Sequence, residues 1–472
     1  MIQTSAVIIS AASATSINSM LSGLMTVVLP EVGSIFHLTP KLLLWPVSIY
    51  ALTNGCTLLL FGTLTDMLGS RRMHLLGNIF QVAMTIGTGL SKTGTQMIVI
   101  RALCGVASSL CLPSAVSIVT TALPPGRRRN IAFASMGGGL PIGFGIGLIM
   151  GGVCAGTIGW QWGFHITSIF NFLVLALLAW KLPRTNSNNP AVRWRRLKTD
   201  VDWIGILIIT LALGILLYVL SEITSSVSEI RTPTNIGLLS ASLILLPIFA
   251  LWMHYATNHN LPALIPNSLW SSRIFTSVCL NVFFIWGAFN SVEQYLNFYF
   301  QNLQNTSVLY SGIQFLPTCI AGAAANLTMG LIVHRVRAPY IIAIATSLSC
   351  IAPLLMALAN PKWTYWAAEF PAVALNAIQV DAFYTIANLL ITEAFPDETQ
   401  ALAGGVFNTI AQIGKGVGLA LSGLVEEGVG REKGLLSGYR VAFWFCFALC
   451  LGTQVVSFWG LRGVGKVGGK EG

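Results

Sequence analysis

Long apolar runs recur along this 472-residue chain, and they constrain its fold more than any other feature. Two examples, 204–220 and 441–461, contain no charged residue. Runs of this kind match the ~20 residues that a helix needs to cross a bilayer. A backbone in lipid must satisfy its own hydrogen bonds, so it spans as helices or as a closed barrel, whose strands are alternating segments of about ten residues. The runs therefore predict an all-α polytopic membrane protein.

The low content of charged residues indicates that lipid surrounds most of the surface. Only 9% of the residues are charged, whereas a soluble domain carries about 25%. The net charge of +10 comes largely from Lys and Arg between the apolar runs, where they set membrane orientation. We therefore expect no nucleic-acid partner. The nine cysteines are scattered without metal-ligand spacing, so we expect no metal site.

Apolar runs bounded by Gly, Pro and charged residues predict about fourteen spans. They lie near 5–30, 42–64, 74–91, 95–122, 131–156, 161–181, 203–221, 235–255, 273–300, 307–333, 339–360, 363–394, 400–425 and 439–461. The first is expected to be a membrane helix rather than a signal peptide, because no basic region precedes it. The order of six, two and six suggests two related bundles. We divide the chain into an N-terminal six-helix bundle (1–182), a cytoplasmic linker with two inserted helices and a following loop (183–272), and a C-terminal six-helix bundle (273–472).

The distribution of basic residues predicts the orientation. With a cytoplasmic N-terminus, most Lys and Arg fall in cytoplasmic segments, as the positive-inside rule requires. Both chain ends are then cytoplasmic. The sequon that begins at Asn305 lies outside, so Asn305 is a candidate for N-glycosylation.

The segment between the second and third spans carries the most specific motif. It reads Gly62-Thr63-Leu64-Thr65-Asp66-Met67-Leu68-Gly69-Ser70-Arg71-Arg72, and it resembles the signature loop of the major facilitator superfamily, G-x-x-x-D-x-x-G-x-R-[KR]. The resemblance implies two six-helix bundles that rock against each other, with this loop as a cytoplasmic latch. The latch residues would be Gly62, Asp66, Gly69, Arg71 and Arg72. Glycine permits the tight turn, and Asp66 can accept charge-assisted hydrogen bonds.

Weaker motifs resemble the fourteen-helix drug–proton antiporter branch of that superfamily. The stretch Trp160-Gln161-Trp162-Gly163-Phe164-His165 is similar to the W-R-W-x-F segment that opens span 6 in this branch. Leu44-Trp45-Pro46 followed by Tyr50-Ala51-Leu52-Thr53 resembles fungal members, many of which export toxins or metabolites. The acid usual in span 1 is replaced here by Leu21, so span 1 cannot carry a proton on a carboxylate.

Span 5 carries a row of glycines at four-residue spacing. The row consists of Gly139, Gly143, Gly147 and Gly151, and Gly152 follows it. A helix face without side chains lets another helix approach backbone to backbone. The end of the row resembles the antiporter motif of drug-exporting facilitators, G-P-x-x-G-G, with the proline replaced by Leu148. Antiport and plain helix packing explain the row equally well.

Five ionisable residues fall at membrane depth, where an isolated charge is costly. Glu293, Glu369 and Asp381 are candidates for proton coupling, and Arg101 and Lys415 are candidate charge partners. The resemblance implies that spans 1, 4, 9 and 12 line a central cavity. We expect Arg101, Glu293 and Glu369 to share one site in its outer half, and Asp381 to pair with Lys415 at one depth. A purely structural ion pair is the alternative for each.

Polar stripes on two spans point to the same cavity. On span 1 the stripe includes Asn18 and Ser22, and on span 9 it includes Asn290, Gln294 and Asn297, with Trp286 nearby. Amides that face lipid are costly, so these faces look inward. They predict a cavity for an amphipathic organic molecule, with a helix–helix contact as the alternative.

These features predict a secondary transporter and not an enzyme. The chain lacks a phosphate-binding loop followed by Lys-Ser/Thr, so we expect a proton gradient and no cofactor to supply the energy. We expect a monomer in the plasma membrane that exports a small drug, toxin or metabolite in exchange for protons. Import of a nutrient or metal chelate is the first alternative. A receptor or integral-membrane enzyme is the second, disfavoured by the lack of a catalytic Cys/His pair.

Overall fold

The computed structural model describes residues 2–123, 127–181, 201–223, 232–259, 261–265, 267–333, 335–395 and 397–465. Fourteen long helices lie within them, and we number them α1 to α14 in chain order. Two short helices, Pro40–Leu43 and Val308–Gln314, precede α2 and α10. This architecture confirms the predicted all-α class.

The first six helices form the N-terminal bundle. They are α1 (Ile2–Ile35), α2 (Trp45–Leu68), α3 (Ser70–Leu90), α4 (Gly94–Ala122), α5 (Arg127–Thr157) and α6 (Gln161–Lys181). Two further helices follow, α7 (Trp203–Ile223) and α8 (Pro233–Asn258). They pack on each other, and α7 also lies against α2 and α13. The extra pair is therefore attached beside the junction of the two bundles.

The last six helices form the C-terminal bundle. They are α9 (Arg273–Phe298), α10 (Leu316–Ile332), α11 (Ala338–Leu358), α12 (Glu369–Ala394), α13 (Asp397–Lys433) and α14 (Leu435–Leu461). A π-helical turn, Tyr299–Leu303, extends α9. Twelve helices in the described part of the chain are long and apolar enough to span a membrane by themselves, and α3 and α13 are not among them.

The arrangement of side chains on α3 is inverted relative to a helix of a soluble protein. Its polar residues His74, Asn78 and Gln81 are buried, whereas Leu76 and Ile79 are more than half exposed. A soluble helix turns its apolar stripe inward instead. The exposed apolar face suits lipid, and the polar face is bonded inside the bundle.

Glycines bring one helix pair in each bundle to backbone contact. The face of α5 that carries Gly139, Gly143, Gly147 and Gly151 packs on α1. A Cβ added at Gly147 would lie 2.1 Å from the carbonyl oxygen of Met20. In the C-terminal bundle, a Cβ added at Gly418 of α13 would lie 2.4 Å from the Cα of Gly287 on α9. The pairs α1–α5 and α9–α13 are therefore built in the same way.

A proline divides the tenth predicted span. The sequence predicts one helix near 307–333, whereas the chain forms the short helix Val308–Gln314 and then α10, with Pro317 in the first turn of α10. Proline has no N–H and its ring clashes with the preceding turn. The helix therefore ends and starts again at this point.

Two predicted boundaries of the C-terminal bundle also differ from the structure. The helix α12 begins at Glu369 rather than near 363, because residues 361–367 form turns and place Trp363 and Trp366 at the surface. The helix α13 continues to Lys433 rather than ending near 425. An ion pair between Glu427 and Arg431, one turn apart, supports its last turns.

Candidate functional site

A cavity lies between the two bundles, and four helices from each bundle line it. The N-terminal bundle contributes α1, α2, α4 and α5, and the C-terminal bundle contributes α9, α10, α12 and α13. We call these two sets of lining residues the N wall and the C wall. The cavity volume open to the centres of water molecules is about 130 Å³, roughly ten times what one water needs. The cavity is therefore large enough and polar enough to hold several water molecules.

The N wall is held by a hydrogen-bond network that joins three helices. The Oδ1 atom of Asn18 on α1 accepts from the Tyr50 hydroxyl on α2 at 3.0 Å and from Nε2 of Gln81 on α3 at 2.9 Å. Tyr50 and Gln81 are both buried. A buried donor needs an acceptor, so Asn18 fixes the relative positions of all three helices.

Arg101 of α4 is the cation of the N wall, and it is almost fully buried, with 1% of its surface exposed. Its Nε donates to the carbonyl oxygen of Pro46 at 3.0 Å, and its Cζ lies 4.5 Å from the centre of the Tyr50 ring. One of its two terminal nitrogens, Nη1, is buried without a hydrogen-bond partner among the described residues. No salt bridge joins Arg101 to a carboxylate within the described part of the chain. The contacts with Pro46 and Tyr50 therefore hold the guanidinium in place, and one of its N–H donors stays unused.

Asp381 of α12 is the carboxylate of the C wall. Its Oδ1 accepts from Nδ2 of Asn326 on α10 at 2.9 Å. The Thr385 hydroxyl, one turn further along α12, donates to the Oδ1 of Asn326 at 3.3 Å. The other carboxylate oxygen lies beside Gly322, where a Cβ would be 2.4 Å from it. The small residue at 322 therefore makes room for the acid between α10 and α12.

Lys415 of α13 is the cation of the C wall. Its Nζ lies 4.1 Å from the centre of the Trp286 ring on α9, which is a cation–π contact. The neighbouring amide of Asn290 donates only to the carbonyl of Trp286, one turn back on its own helix, at 3.2 Å. The contact of Lys415 with Trp286 joins α13 to α9, but the amide of Asn290 does not tie one helix to another as that of Asn18 does.

The sequence profile of the Major Facilitator Superfamily matches residues 11–419 and, in a second match, 320–468. The chain belongs to the Major Facilitator Superfamily. Its fold is similar to that of a solved structure, a bacterial homologue of the human lysosomal transporter Spinster in an inward-facing, unoccupied conformation. The TM-score is 0.65 at 14% identity, with 98% of each chain covered. This likeness concerns the fold alone.

Curated fungal relatives cover most of this facilitator. MFS-type transporter 1 of Pyricularia oryzae is 36% identical over 96% of this chain and 83% of its own length. The low affinity ammonium transporter of Saccharomyces cerevisiae is 26% identical, with 86% and 78% covered. Efflux pump terJ of Aspergillus terreus is 26% identical, with 88% and 80% covered. The chain is thus a multi-pass membrane transporter.

The expected ion pair between Asp381 and Lys415 does not form in this facilitator. Both residues line the cavity, but Asp381 is bonded to Asn326 and Lys415 lies over Trp286. The family resemblance implies a cavity lined by spans 1, 4, 9 and 12, whereas α13 lines it as well. Glycine packing explains the difference, because Gly414 and Gly418 bring α13 against α9 and the side chain between them reaches the cavity.

Arg101, Glu293 and Glu369 do not share a site either. Glu293 is buried on α9 and is not among the residues that line the cavity, and its Oε1 has no hydrogen-bond partner within the described part of the chain. Glu369 is the first residue of α12, and it accepts a hydrogen bond from Gln304. Because α12 begins at Glu369, this carboxylate lies at the end of the helix rather than deep within it.

The predicted cavity residues divide into two groups. Asn18, Ser22, Trp286 and Asn290 line the cavity, whereas Gln294 and Asn297 do not. The side-chain nitrogen and oxygen of Gln294 are buried without partners. Nδ2 of Asn297 donates to the carbonyl of Thr26 at 2.6 Å, which ties α9 of one bundle to α1 of the other. The stripe on α9 is therefore part cavity and part contact between the bundles.

The signature loop forms the turn between α2 and α3. Gly69 has φ +96°, a conformation that side chains rarely adopt, so glycine is required there. Gly62 lies beside Pro113 of α4. Arg71 donates through Nη2 to the carbonyl of Ala179, near the end of α6, at 2.8 Å. Arg72 is exposed, and the side chain of Asp66 lies outside the described part of the structure.

Gly152 differs from the four glycines that precede it. A Cβ added there would lie 2.9 Å from the Cα of Leu309 in the short helix before α10. Gly152 therefore faces the other bundle, whereas the Gly139–Gly151 row faces α1. The motif on α5 thus serves two different helix contacts. Asn305, the candidate for glycosylation, is exposed in the turn that follows the π-helical segment, with φ +54°.

Tyr50 and Asn326 are site residues that the sequence analysis does not name as such. Tyr50 belongs to the stretch that resembles fungal members, and Asn54 and Thr57 follow it at helical spacing, so a polar stripe on α2 could have marked it. Asn326 lies in an apolar run without such a stripe. A single amide within an apolar span can by itself indicate a residue of the functional site.

Proposed function

We propose that this facilitator exports a small amphipathic organic molecule in exchange for protons, and that Asp381 carries the proton. The observation that carries the proposal is the cavity between the bundles, where aromatic rings alternate with amides and one carboxylate. The glycine motif of α5 and the likeness to the efflux pump terJ support export. The motifs favour the fourteen-helix drug–proton antiporter branch, with the plasma membrane as the site of action.

Asp381 is chosen over the other two acids because of its position. It is the carboxylate among the described cavity-lining residues, whereas Glu293 and Glu369 lie outside the lining. Its partner Asn326 is an amide, which can donate to a carboxylate or, after a flip, accept from a protonated carboxyl. The acid can therefore gain or lose a proton without losing its hydrogen bond.

A second candidate function is import of ammonium or a related small cation. The relative named low affinity ammonium transporter favours it, and Asp381 would then bind the cation directly. This alternative requires no amphipathic surface in the cavity, so the aromatic lining favours export.

The test is efflux from cells that do or do not express the chain. Cells are loaded with three fluorescent amphipathic dyes, one anionic, one neutral and one cationic, and retention is measured with and without a protonophore. We expect expression to lower retention of at least one dye and the protonophore to abolish the difference. Asp381→Asn should reduce uphill efflux by about tenfold or more while exchange down a gradient persists, because the proton site is lost.

Glu369→Gln is the matched control, since it also neutralises a buried acid but one outside the cavity. It should leave coupling unchanged. Loss of coupling in Glu369→Gln with normal coupling in Asp381→Asn would assign the proton to Glu369. Accumulation of methylammonium on expression, with no change in dye retention, would replace export by import.

A further inference from the structure

The cavity lining carries more positive than negative side chains. Among the described lining residues, Arg101 and Lys415 are cationic and Asp381 is anionic. With Asp381 ionised the lining carries two positive charges against one negative charge. With Asp381 protonated it carries two positive charges and none to offset them. The lining is therefore net positive in both protonation states of the proposed cycle.

Arg101 keeps a donor for which none of the described residues supplies an acceptor. Its Nε and its ring contact are used by Pro46 and Tyr50, while Nη1 is buried without a partner. A buried charge without a counter-charge is costly. A ligand that brings an acceptor into the cavity would relieve that cost, and a carboxylate does so with a charge-assisted hydrogen bond.

Lys415 also lacks a carboxylate within salt-bridge distance in the described residues. Its Nζ faces the ring of Trp286. Glu293 lies near it on α9, but that side chain is not among the residues that line the cavity. Asp381 is bonded to Asn326 instead. The two bundles thus each present one cation to the same space.

Apolar rings occupy much of the remaining surface. Phe144 of α5, Trp286 and Phe289 of α9 and Tyr384 of α12 line the cavity. Such rings stabilise a bound ligand with a flat or apolar body more than they stabilise a small hydrated ion. The lining thus combines two cations with an aromatic surface.

We propose that the substrate is a small organic anion with an apolar or aromatic body, whose charged group binds Arg101 and is attracted by Lys415. This inference rests on the proposed function for its direction of transport, but the choice of charge does not depend on that direction. A cationic substrate would have to approach two cations to reach one acid that already has a partner.

Binding to the purified full chain tests the charge. Three probes share one ring system: naphthalene carboxylate, the matching carboxamide and the matching methylamine. We expect the carboxylate to bind about tenfold or more tightly than the other two, since a hydrogen bond to a charged group contributes about 1.5–3 kcal/mol. Arg101→Gln should remove this preference, and Arg101→Lys, which keeps the charge, should retain part of it. Lys415→Gln should weaken it.

Arg440→Gln serves as the control, because Arg440 donates to the carbonyl of Ala359 and does not line the cavity. It should leave all three affinities unchanged. The proposal is overturned if the methylamine binds best, if the three probes bind alike, or if the carboxylate does not bind the unmodified protein. Binding of the carboxylate without dye efflux from cells would instead contradict export and leave the anion site standing. Efflux of a neutral dye without binding of the carboxylate would contradict the anion site and leave export standing.

Discussion

The N wall and the C wall of the cavity share one backbone design but differ in how their side chains are held. In both, glycines allow the first helix of the bundle to pack closely against the fifth, α1 against α5 and α9 against α13. In the N wall, Asn18 then joins three helices through two buried donors. In the C wall, Asn290 and Asn408 donate to carbonyls of their own helices. The amide of Asn18 is thus held between the helices of the N wall, whereas the amides of Asn290 and Asn408 in the C wall can change partners.

This difference suggests that the two walls have different roles in transport. A wall whose central amide joins three helices keeps its shape when the cavity empties and fills. A wall whose amides bond locally can rearrange around a ligand or after a change in the charge of Asp381. We expect changes in the C wall to alter substrate selectivity more than they alter the stability of the fold.

The shared backbone design should show the largest effect. Gly147→Ala places a Cβ 2.1 Å from a carbonyl oxygen of α1, and we expect it to destabilise the fold by about 3 kcal/mol. Gly418→Ala should do the same in the other bundle. Gly138→Ala is the control on the same helix as Gly147, since nothing lies within 4 Å of its added Cβ. Thermal unfolding in detergent measures all three, and a tolerated Gly147→Ala would contradict the backbone contact.

The side-chain difference should appear when equivalent amides are removed. Asn18→Ala leaves the Tyr50 hydroxyl and the Gln81 amide without their acceptor, so we expect a loss of about 2 kcal/mol. Asn290→Ala breaks one bond within its own helix and should cost less than about 1 kcal/mol. The same unfolding measurement compares them. Equal losses would remove the distinction between a fixed wall and an adaptable one.

The smallest effect concerns the partner of Asp381. A double-mutant cycle of Asp381→Ala with Asn326→Ala should give a coupling of about 1 kcal/mol, because the two side chains share a hydrogen bond. The cycle of Asp381→Ala with Lys415→Gln should give almost none, since they do not touch. A larger coupling to Lys415 would restore the ion pair that the sequence suggests.

The helices of this chain could be predicted from sequence because lipid imposes a simple rule on each segment. Every predicted span corresponds to a helix, and α4 and α6 agree to within a residue at both ends. The exceptions have local causes, such as Pro317 and the turns before Glu369. Hydropathy reports whether a segment is buried in lipid, and it needs no knowledge of neighbouring helices.

Pairing of side chains could not be predicted in the same way. Asp381 and Lys415 were placed at one depth by counting residues, and both do reach the cavity. Depth does not fix which neighbour a side chain meets, because that depends on how close the helices lie and on what else is within reach. Here Asn326, on a helix that the argument did not consider, takes the carboxylate. A rule based on one helix at a time has no access to this competition.

The inverted face of α3 has a consequence for how the chain is made. Helices enter the bilayer one after another during synthesis, and α3 is too polar to remain there by hydropathy alone. Its buried side chains bond to α1 and α4, as His74 does with Ser10 and Ser114 at 2.9 and 3.1 Å. A nascent chain that stops after α3 lacks the hydrogen-bond partners on α4. Stable insertion of α3 therefore has to wait until α4 has been synthesised and can enter the membrane beside it.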